Sequence, residues 1–186
     1  MSFLSDVSLR VYLESGRLVV TPLVEGSAGP ASIDVTLGDS LLALVGGSTL
    51  DTVSGVGARY EAQTINGHGG WTLYPHGLYL GSTAEYVGVP HELVGFLHGR
   101  STLGRYGVSV HETAGLIDPG FSGNVTLELS VSRATILYPG QPIGQLVFAR
   151  LTTSAEHPYG ERGRYQDSRG AVPPIPFGAA RQGVEG

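Results

Sequence analysis

A glutamate inside an apolar run is the first residue of this chain whose type and position suggest chemistry. In NVTLELS, residues 124–130, apolar side chains at 125, 127 and 129 alternate with polar ones that include Glu128. A period of two predicts a strand with one apolar and one polar face. In an exposed strand Glu128 would face solvent, which is the more common case. If the polar face lines a cavity, Glu128 is a candidate general base.

A second group of polar side chains lies in GRSTLGR, residues 99–105. Arg100 and Arg105 flank Ser101 and Thr102, and the leading glycine predicts a turn. Guanidinium groups bind phosphate oxygens in a fork, and hydroxyl and backbone N–H groups of a turn add further donors. The segment is a candidate phosphate-binding turn, although such clusters are more often solvated surface charges.

Other candidate groups carry weaker signals. Asp118-Pro119-Gly120 predicts a β-turn and by itself indicates no function. His111 is a candidate acid–base group, but a hydrogen-bonded structural histidine is commoner on a strand. HELVGFLH does not make a zinc site, because His91 and His98 are seven residues apart where a zinc-binding helix has its two histidines four apart, and Gly95 interrupts the segment.

The elements that must position these residues are predicted to be short strands. From residue 17 to residue 152, apolar segments recur between Gly and Pro signals, with no helical pattern between them. This arrangement predicts an all-β sandwich, barrel or jelly roll. Residues 46–70 are rich in turn residues and predict a loop that carries one short strand.

One helix is predicted, over residues 5–15. Ser5 is a plausible N-cap and Gly16 a plausible stop. Leu4, Val7 and Val11 would share one face of this helix.

The end of the chain has a different composition. From Ser154 it is rich in Gly, Pro and Arg and lacks any period, which predicts an extended arm, either disordered or ordered over a ligand or a neighbouring subunit. We therefore expect one domain, with a β domain and its N-terminal helix over residues 1–153 and a flexible tail over residues 154–186 that belongs to the same domain.

Composition excludes several classes of protein. The chain has 186 residues, 41% of them hydrophobic and 15% charged, as in a folded domain. A net charge of −5 gives no general attraction to nucleic acid or to an anionic membrane. The absence of cysteine excludes disulfides, thiolate catalysis and cysteine-based zinc sites. With no signal-like or membrane-length segment, we expect a soluble cytoplasmic protein.

Several segments together resemble the dCTP deaminases, the deaminating branch of the trimeric dUTPase family. The most diagnostic are IDPGFSG and LEL, within GRSTLGRYG, TAGLIDPGFSGNVTLELS and PGQPIGQLVF. The similarity continues through LSDVSLR, GRLVVTP, SIDVTLG, LGSTAEYVGVP, SAEHPYG and GRYQDSRGA, so it is nearly chain-long. It implies an all-β subunit, a distorted β-barrel or jelly roll of the dUTPase-like (β-clip) type, and a homotrimer with active sites between subunits.

The resemblance also implies a role for each matching residue. Glu128 would activate the water that attacks C4 of cytosine, and Ser101 and Arg105 would hold this water and Glu128. Backbone groups near Ala114 would position the water and stabilise the tetrahedral intermediate. The residues implied to bind the nucleotide are Arg100, Ser101, Thr102, Ala114, Asp118, Phe121, Tyr159, Arg164 and Tyr165. Mg²⁺ would be held mainly by the triphosphate, and no zinc is expected.

The resemblance leaves the reaction open between related outcomes. The first interpretation is deamination of dCTP to dUTP and ammonia, and the alternative is a bifunctional enzyme that gives dUMP and pyrophosphate, which HETAGLIDPGFSG slightly favours. A dUTP pyrophosphatase and an inactive nucleotide-binding protein are further alternatives. Val131 and Ser168 replace the usual Asn and Gln of the family, which keeps the inactive protein open. Feedback inhibition by dTTP is also left open.

Overall fold

Antiparallel strands make up most of the regular secondary structure in the described residues. The computed structural model describes residues 2–47 and 49–179, with the backbone only at Arg162. The strands are β1 (Ser2–Phe3), β2 (Val19–Thr21), β3 (Ile33–Thr36), β4 (Leu42–Val45), β5 (Arg59–Ala62), β6 (Trp71–Leu73), β7 (Tyr79–Gly88), β8 (Leu93–Gly99), β9 (Val108–Ser109), β10 (Leu116–Ile117), β11 (Ser122–Val131), β12 (Thr135–Leu137) and β13 (Pro142–Arg150). The prediction of an all-β fold is confirmed.

Two sheets enclose the core. One has the order β1-β13-β8-β10 with β3 also paired to β13, and the other has the order β5-β4-β7-β11-β9 with β2 also paired to β7. β12 and β6 form a separate two-stranded sheet. Ile33, Leu127, Leu129 and Phe148 are among the fully buried side chains between the sheets. Burying a side chain of this size stabilises a fold by about 1.5–3 kcal/mol.

β11 has the two faces that its sequence predicts. Buried and half-buried residues alternate along its whole length. Val131 is on the buried face and pairs with Val108 of β9, so a valine suits this position where the family has a polar residue. Glu128 is on the other face, opposite Leu80 of β7.

A buried glutamate connects the two sheets. Glu85 of β7 is only 1% exposed, and its carboxylate accepts hydrogen bonds from the backbone N–H and the hydroxyl of Thr36 at the end of β3. An unpartnered carboxylate would be costly at this depth. These bonds therefore hold β3 against β7.

The N-terminal helix forms, but with a different buried face. Helix α1 spans Asp6–Glu14, with Ser5 as N-cap and Gly16 in the left-handed conformation just after the end. Its buried residues are Leu9 and Tyr12, while Val7 and Val11 are 63% and 60% exposed. The predicted helix face was wrong. Leu4 is buried but precedes the helix, so its burial does not determine which face of α1 packs against the core.

The segment predicted as a phosphate-binding turn is a short helix. Helix α2 spans Ser101–Arg105 with Arg100 as N-cap, and none of its residues is buried. Gly104 N–H donates to Arg100 O at 3.0 Å, which closes the first helical turn. The predicted turn is therefore corrected to α2, a surface helix that joins β8 to β9.

Outside these elements the expected loop and tail are both structured in part. Residues 46–70 contain β5 and are otherwise irregular in the described part, as predicted. The tail contains a third helix, α3 (Tyr159–Arg162), and then runs back over the sheet that contains β11.

Candidate active site

A cavity of about 420 Å³ opens on the face of the sheet that carries Glu128. Leu42 of β4 lies opposite Leu80 of β7, and Leu80 lies opposite Glu128 of β11, so the three side chains share one face. The volume is within the range of small-molecule sites. The lining residues are Tyr60, Leu78, Leu80, Glu112, Thr113, Ala114, Leu116, Ile117, Asp118, Phe121, Asn124, Val125, Thr126, Glu128, Tyr159, Tyr165, Ser168, Val172 and Pro174.

Glu128 is held by backbone groups on one side only. The N–H groups of Glu112 and Thr113 donate to its Oε2 at 3.0 and 3.3 Å. Within the described residues no donor reaches Oε1. Two fixed donors orient the carboxylate of this cavity-lining residue, and its other oxygen has no donor among the described residues, so it can accept a proton as a general base must. Ala114, the next residue of the same loop, also lines the cavity.

The predicted turn at Asp118-Pro119-Gly120 forms a wall of the cavity. Phe121 N–H donates to Asp118 O at 3.1 Å, and Gly120 has φ +83°, which glycine adopts without strain. A β-carbon on Gly120 would meet Pro158 Cβ at 2.6 Å, so only glycine permits this close approach of the tail. Phe121 packs edge to face on Tyr159, with ring centroids 5.6 Å apart.

The end of the tail covers the cavity. We call residues 165–179 the strap. Tyr165, Val172 and Pro174 of the strap line the cavity. At its far end Phe177 N–H donates to Thr52 O at 2.9 Å, and Gly178 N–H donates to Val53 O at 2.8 Å. The described part of the tail is therefore ordered over the cavity of its own chain.

Arg164 fixes the strap. Its Nη1 donates to Ile175 O at 3.2 Å and to Pro176 O at 2.9 Å, and its guanidinium lies over the ring of Phe177, 5.5 Å from the centroid. Arg164 also lines a second cavity of about 400 Å³, together with Asp118, Tyr159 and Tyr165. Asp118 thus borders both cavities.

The residues of α2 are not brought to the first cavity. Ser101, Thr102 and Arg105 are exposed and do not line it. Arg100 forms an ion pair with Asp34, whose other oxygen accepts from Gln145 Nε2 at 2.9 Å. No arginine side chain in the described part of the chain forms an ion pair with Glu128.

Asn124 and Tyr60 are two of the cavity residues that the sequence did not predict. Asn124 precedes the apolar alternation and resembles an ordinary polar strand residue. Tyr60 lies in a segment with little pattern, and only the pairing of β5 with β4 places it beside the cavity. Burial raises the pKa of Tyr60, and the negative charge of Glu128 raises it further.

Tyr159 also has a raised pKa. Burial is the main cause, and the N–H of Tyr165, which donates to the phenol oxygen at 3.1 Å, acts in the opposite direction. Both phenols are therefore neutral well above neutral pH.

Two further sequence hypotheses concern His111 and metals. His111 lies at the start of the loop that holds Glu128, and its Nδ1 is buried with no hydrogen-bond partner in the described part of the chain. In residues 2–47 and 49–179, no three His, Asp or Glu side chains are grouped as metal ligands. No helix in those residues is both long and apolar enough to cross a membrane.

Comparisons with known proteins identify the family of this chain. A family model described as dCTP deaminase-like matches residues 3–151. The chain is 43% identical over 178 residues to a dCTP deaminase, dUMP-forming, of Nocardia farcinica, covering 91% of this chain and 89% of that protein. It is 41% identical over 167 residues to the protein of the same name from Methanobrevibacter smithii, covering 86% of each.

A solved structure supports the fold. The 2'-deoxycytidine 5'-triphosphate deaminase from Agrobacterium tumefaciens has a TM-score of 0.62 to this chain at 19% identity, covering 80% of this chain and 48% of that one. The chain thus spans about half the length of that protein. Together with the family match over most of the sequence, these results show that the chain belongs to the dCTP deaminase family.

Proposed function

We propose that this chain is a dCTP deaminase of the dUMP-forming type. The observation that carries the proposal is the cavity carboxylate: Glu128 lines the cavity and is oriented through Oε2 by two backbone N–H groups. The relatives named dCTP deaminase, dUMP-forming, favour the bifunctional alternative over release of dUTP.

In the deamination step, a water oxygen attacks C4 of cytosine while Glu128 takes a proton from the water and passes it to N3. The C4 hydroxyl then gives its proton, again through Glu128, to the amino group. The C4–N bond breaks, ammonia leaves and C4 becomes a carbonyl. Positioned acid–base groups of this kind accelerate reactions by about 10²–10⁴-fold.

In the second step, water attacks the α-phosphorus of dUTP while Asp118 accepts a proton from it; the bond from this phosphorus to the bridging oxygen breaks, pyrophosphate leaves and dUMP remains. Asp118 is suited to this step because it borders both cavities. A nucleotide with its base beside Glu128 would have its sugar near Asp118 and its phosphates toward the second cavity. Mg²⁺ would arrive on the triphosphate, whose oxygens are ligands that this ion prefers.

We further propose a homotrimer in which α2 of a neighbouring subunit completes the site. The support is that Ser101, Thr102 and Arg105 are exposed and lie outside the cavity of their own chain. In the trimer, Ser101 and Arg105 would hold the water and Glu128, and Arg100 and Thr102 would bind the triphosphate. Four statements stay predictions: the trimer, the division of the chain into a β domain and a tail after residue 153, a cytoplasmic location, and inhibition by dTTP.

The test is incubation of the purified chain with dCTP and Mg²⁺, and separately with dUTP, followed by chromatography of the products. We expect dUMP, pyrophosphate and ammonia from dCTP. Accumulation of dUTP that is not consumed would indicate the monofunctional enzyme. Turnover of dUTP alone would indicate a pyrophosphatase, and binding without turnover an inactive protein.

A further inference from the structure

Asn124 occupies the point where β11 and the strap meet. The register between β11 and β7 shifts between Asn124 and Thr126, so the backbone of β7 bends there. The side-chain amide of Asn124 donates through Nδ2 to the carbonyl oxygens of Thr83 at 3.0 Å and Glu85 at 3.0 Å, with Ala84 O at 3.3 Å. Asn124 therefore satisfies carbonyls that the irregular pairing leaves open.

These bonds fix the orientation of the amide. Only its NH₂ end can donate to carbonyl oxygens, so Oδ1 must point the other way. Oδ1 accepts from the backbone N–H of Gly170 in the strap at 3.3 Å. Gly170 has φ +67°, a conformation that glycine adopts readily and that turns the strap toward Asn124.

The backbone of Asn124 holds the strap as well. Asn124 N–H donates to Ser168 O at 2.9 Å, and the Ser168 hydroxyl donates to Asn124 O at 3.1 Å. Ser168 is the residue that replaces the usual glutamine of the family, and here its short side chain bonds to β11. Four residues after Ser168, Val172 N–H donates to Thr126 Oγ1 at 3.4 Å, and Val172 lines the cavity.

A neighbouring contact supports the same attachment point. Tyr86 lies opposite Asn124 in the strand pairing, and its hydroxyl donates to Asp167 Oδ1 at 2.8 Å. Arg169 stacks on the Tyr86 ring, 4.2 Å from its centroid. Strap residues 167–170 are thus attached to one pair of facing residues on β7 and β11.

From this arrangement we propose that Asn124 is a positioning residue that anchors the strap and so sets how tightly the strap closes over a bound nucleotide. Anchoring is a property of the free chain. Its effect on the nucleotide rests on the proposed function.

The first test is limited trypsin digestion without nucleotide, with cleavage after Arg169 followed by mass spectrometry. Asn124→Ala removes the amide contacts, and Ser168→Ala removes one hydroxyl contact without disturbing the bend in β7. The matched control is Asn66→Ala, since Asn66 also bonds through both ends of its amide but lies in a turn outside the cavity.

We expect cleavage about three- to tenfold faster for Asn124→Ala and a smaller increase for Ser168→Ala, because a neutral hydrogen bond contributes about 0.5–1.5 kcal/mol. Asn66→Ala should match the unmodified chain. Wild-type cleavage rates in both Asn124→Ala and Ser168→Ala would overturn the proposal. If Asn124→Ala does not fold, the cleavage rate of Ser168→Ala alone tests the proposal, and a wild-type rate in that variant overturns it.

The second test measures dCTP turnover. Asn124→Ala should raise KM several-fold with little change in kcat, and Ser168→Ala should raise KM by less, while Asn66→Ala should leave both constants unchanged. A raised KM in Asn124→Ala with none in Ser168→Ala would assign the loss to β11 and not to the strap. If no variant turns over dCTP, the proposed function fails while the digestion result still decides the anchor.

Discussion

The cavity over β11 and the helix α2 carry the two halves of the predicted site, yet one chain assembles only the first. Glu128, Ala114, Asp118, Phe121, Tyr159 and Tyr165 all line one cavity. The hydroxyls and guanidiniums of residues 100–105 lie on a surface helix outside it.

The difference shows which site residues the strand pairing of a single chain can position. Strand pairing places Glu128 on a defined face, and the loop after Val110 brings two N–H groups to it. Within the described residues Arg105 forms no ion pair, and in the proposed trimer it would act in the site of another copy. A closed homo-oligomer can unite such halves at each of its equivalent interfaces.

The largest effect is expected from removing the carboxylate. Glu128→Gln should lower deamination about 10²–10⁴-fold, because it removes a general base and keeps the shape of the side chain. Nucleotide affinity, measured by calorimetry, should change only a few-fold. Glu61→Gln, on an exposed position of β5, is the control. Ammonia release at the normal rate by Glu128→Gln would contradict its role.

Complementation tests the comparison directly. Arg105→Ala should be nearly inactive alone, but co-expression with Glu128→Gln should restore about a quarter of the activity. In a random mixture about half of the sites carry an intact Glu128, and about half of those receive an intact Arg105 from the neighbouring subunit. About a quarter of the sites are therefore complete. Activity of the purified mixed oligomer is the measurement. No recovery would place both residues in the same chain's site.

Arg164 provides the opposite case. Arg164→Ala should raise KM for dCTP about tenfold, because charge-assisted bonds from Arg164 to the carbonyls of Ile175 and Pro176 are lost. Arg164→Lys should restore it only in part, since lysine lacks the planar fork. Mixing Arg164→Ala with Glu128→Gln should not restore normal KM, because the strap and Glu128 belong to one chain. Restoration would indicate that the strap crosses to a neighbour.

The smallest effect concerns alkaline pH. Because the pKa of Tyr60 is raised in the folded state, its contribution to stability is complete below the unfolded pKa of about 10 and is lost as pH rises through the folded pKa. Tyr60→Phe should therefore reduce the fall in unfolding free energy at high pH, measured by urea titration. Tyr159 has a shift of the same sign, so part of the fall should remain. Exposed Tyr106→Phe is the control, and an unchanged fall in Tyr60→Phe would contradict the prediction.

Local sequence determined much of the fold. Alternation defined β11 and the face of Glu128, Pro119-Gly120 defined the turn at the cavity, and short apolar runs between glycines defined the antiparallel strands. These features depend on near neighbours in the chain, so their residue types are sufficient to predict them. The family motifs added the prediction that Glu128 is the general base.

Tertiary structure decided the rest. Val7 and Val11 fit a helix face as well as Leu9 and Tyr12 do, and only packing against the sheets selected the second pair. The strand pairings alone bring Tyr60 and Asn124 to the cavity.

The path of the strap is the clearest case. Its Gly- and Pro-rich sequence has no period, and its course depends on bonds to Asn124, Thr52 and Val53, which are distant in sequence. The sequence by itself determined the strands and predicted which of their residues do chemistry. Which of those residues meet in one chain depended on contacts between distant segments, which no local pattern encodes.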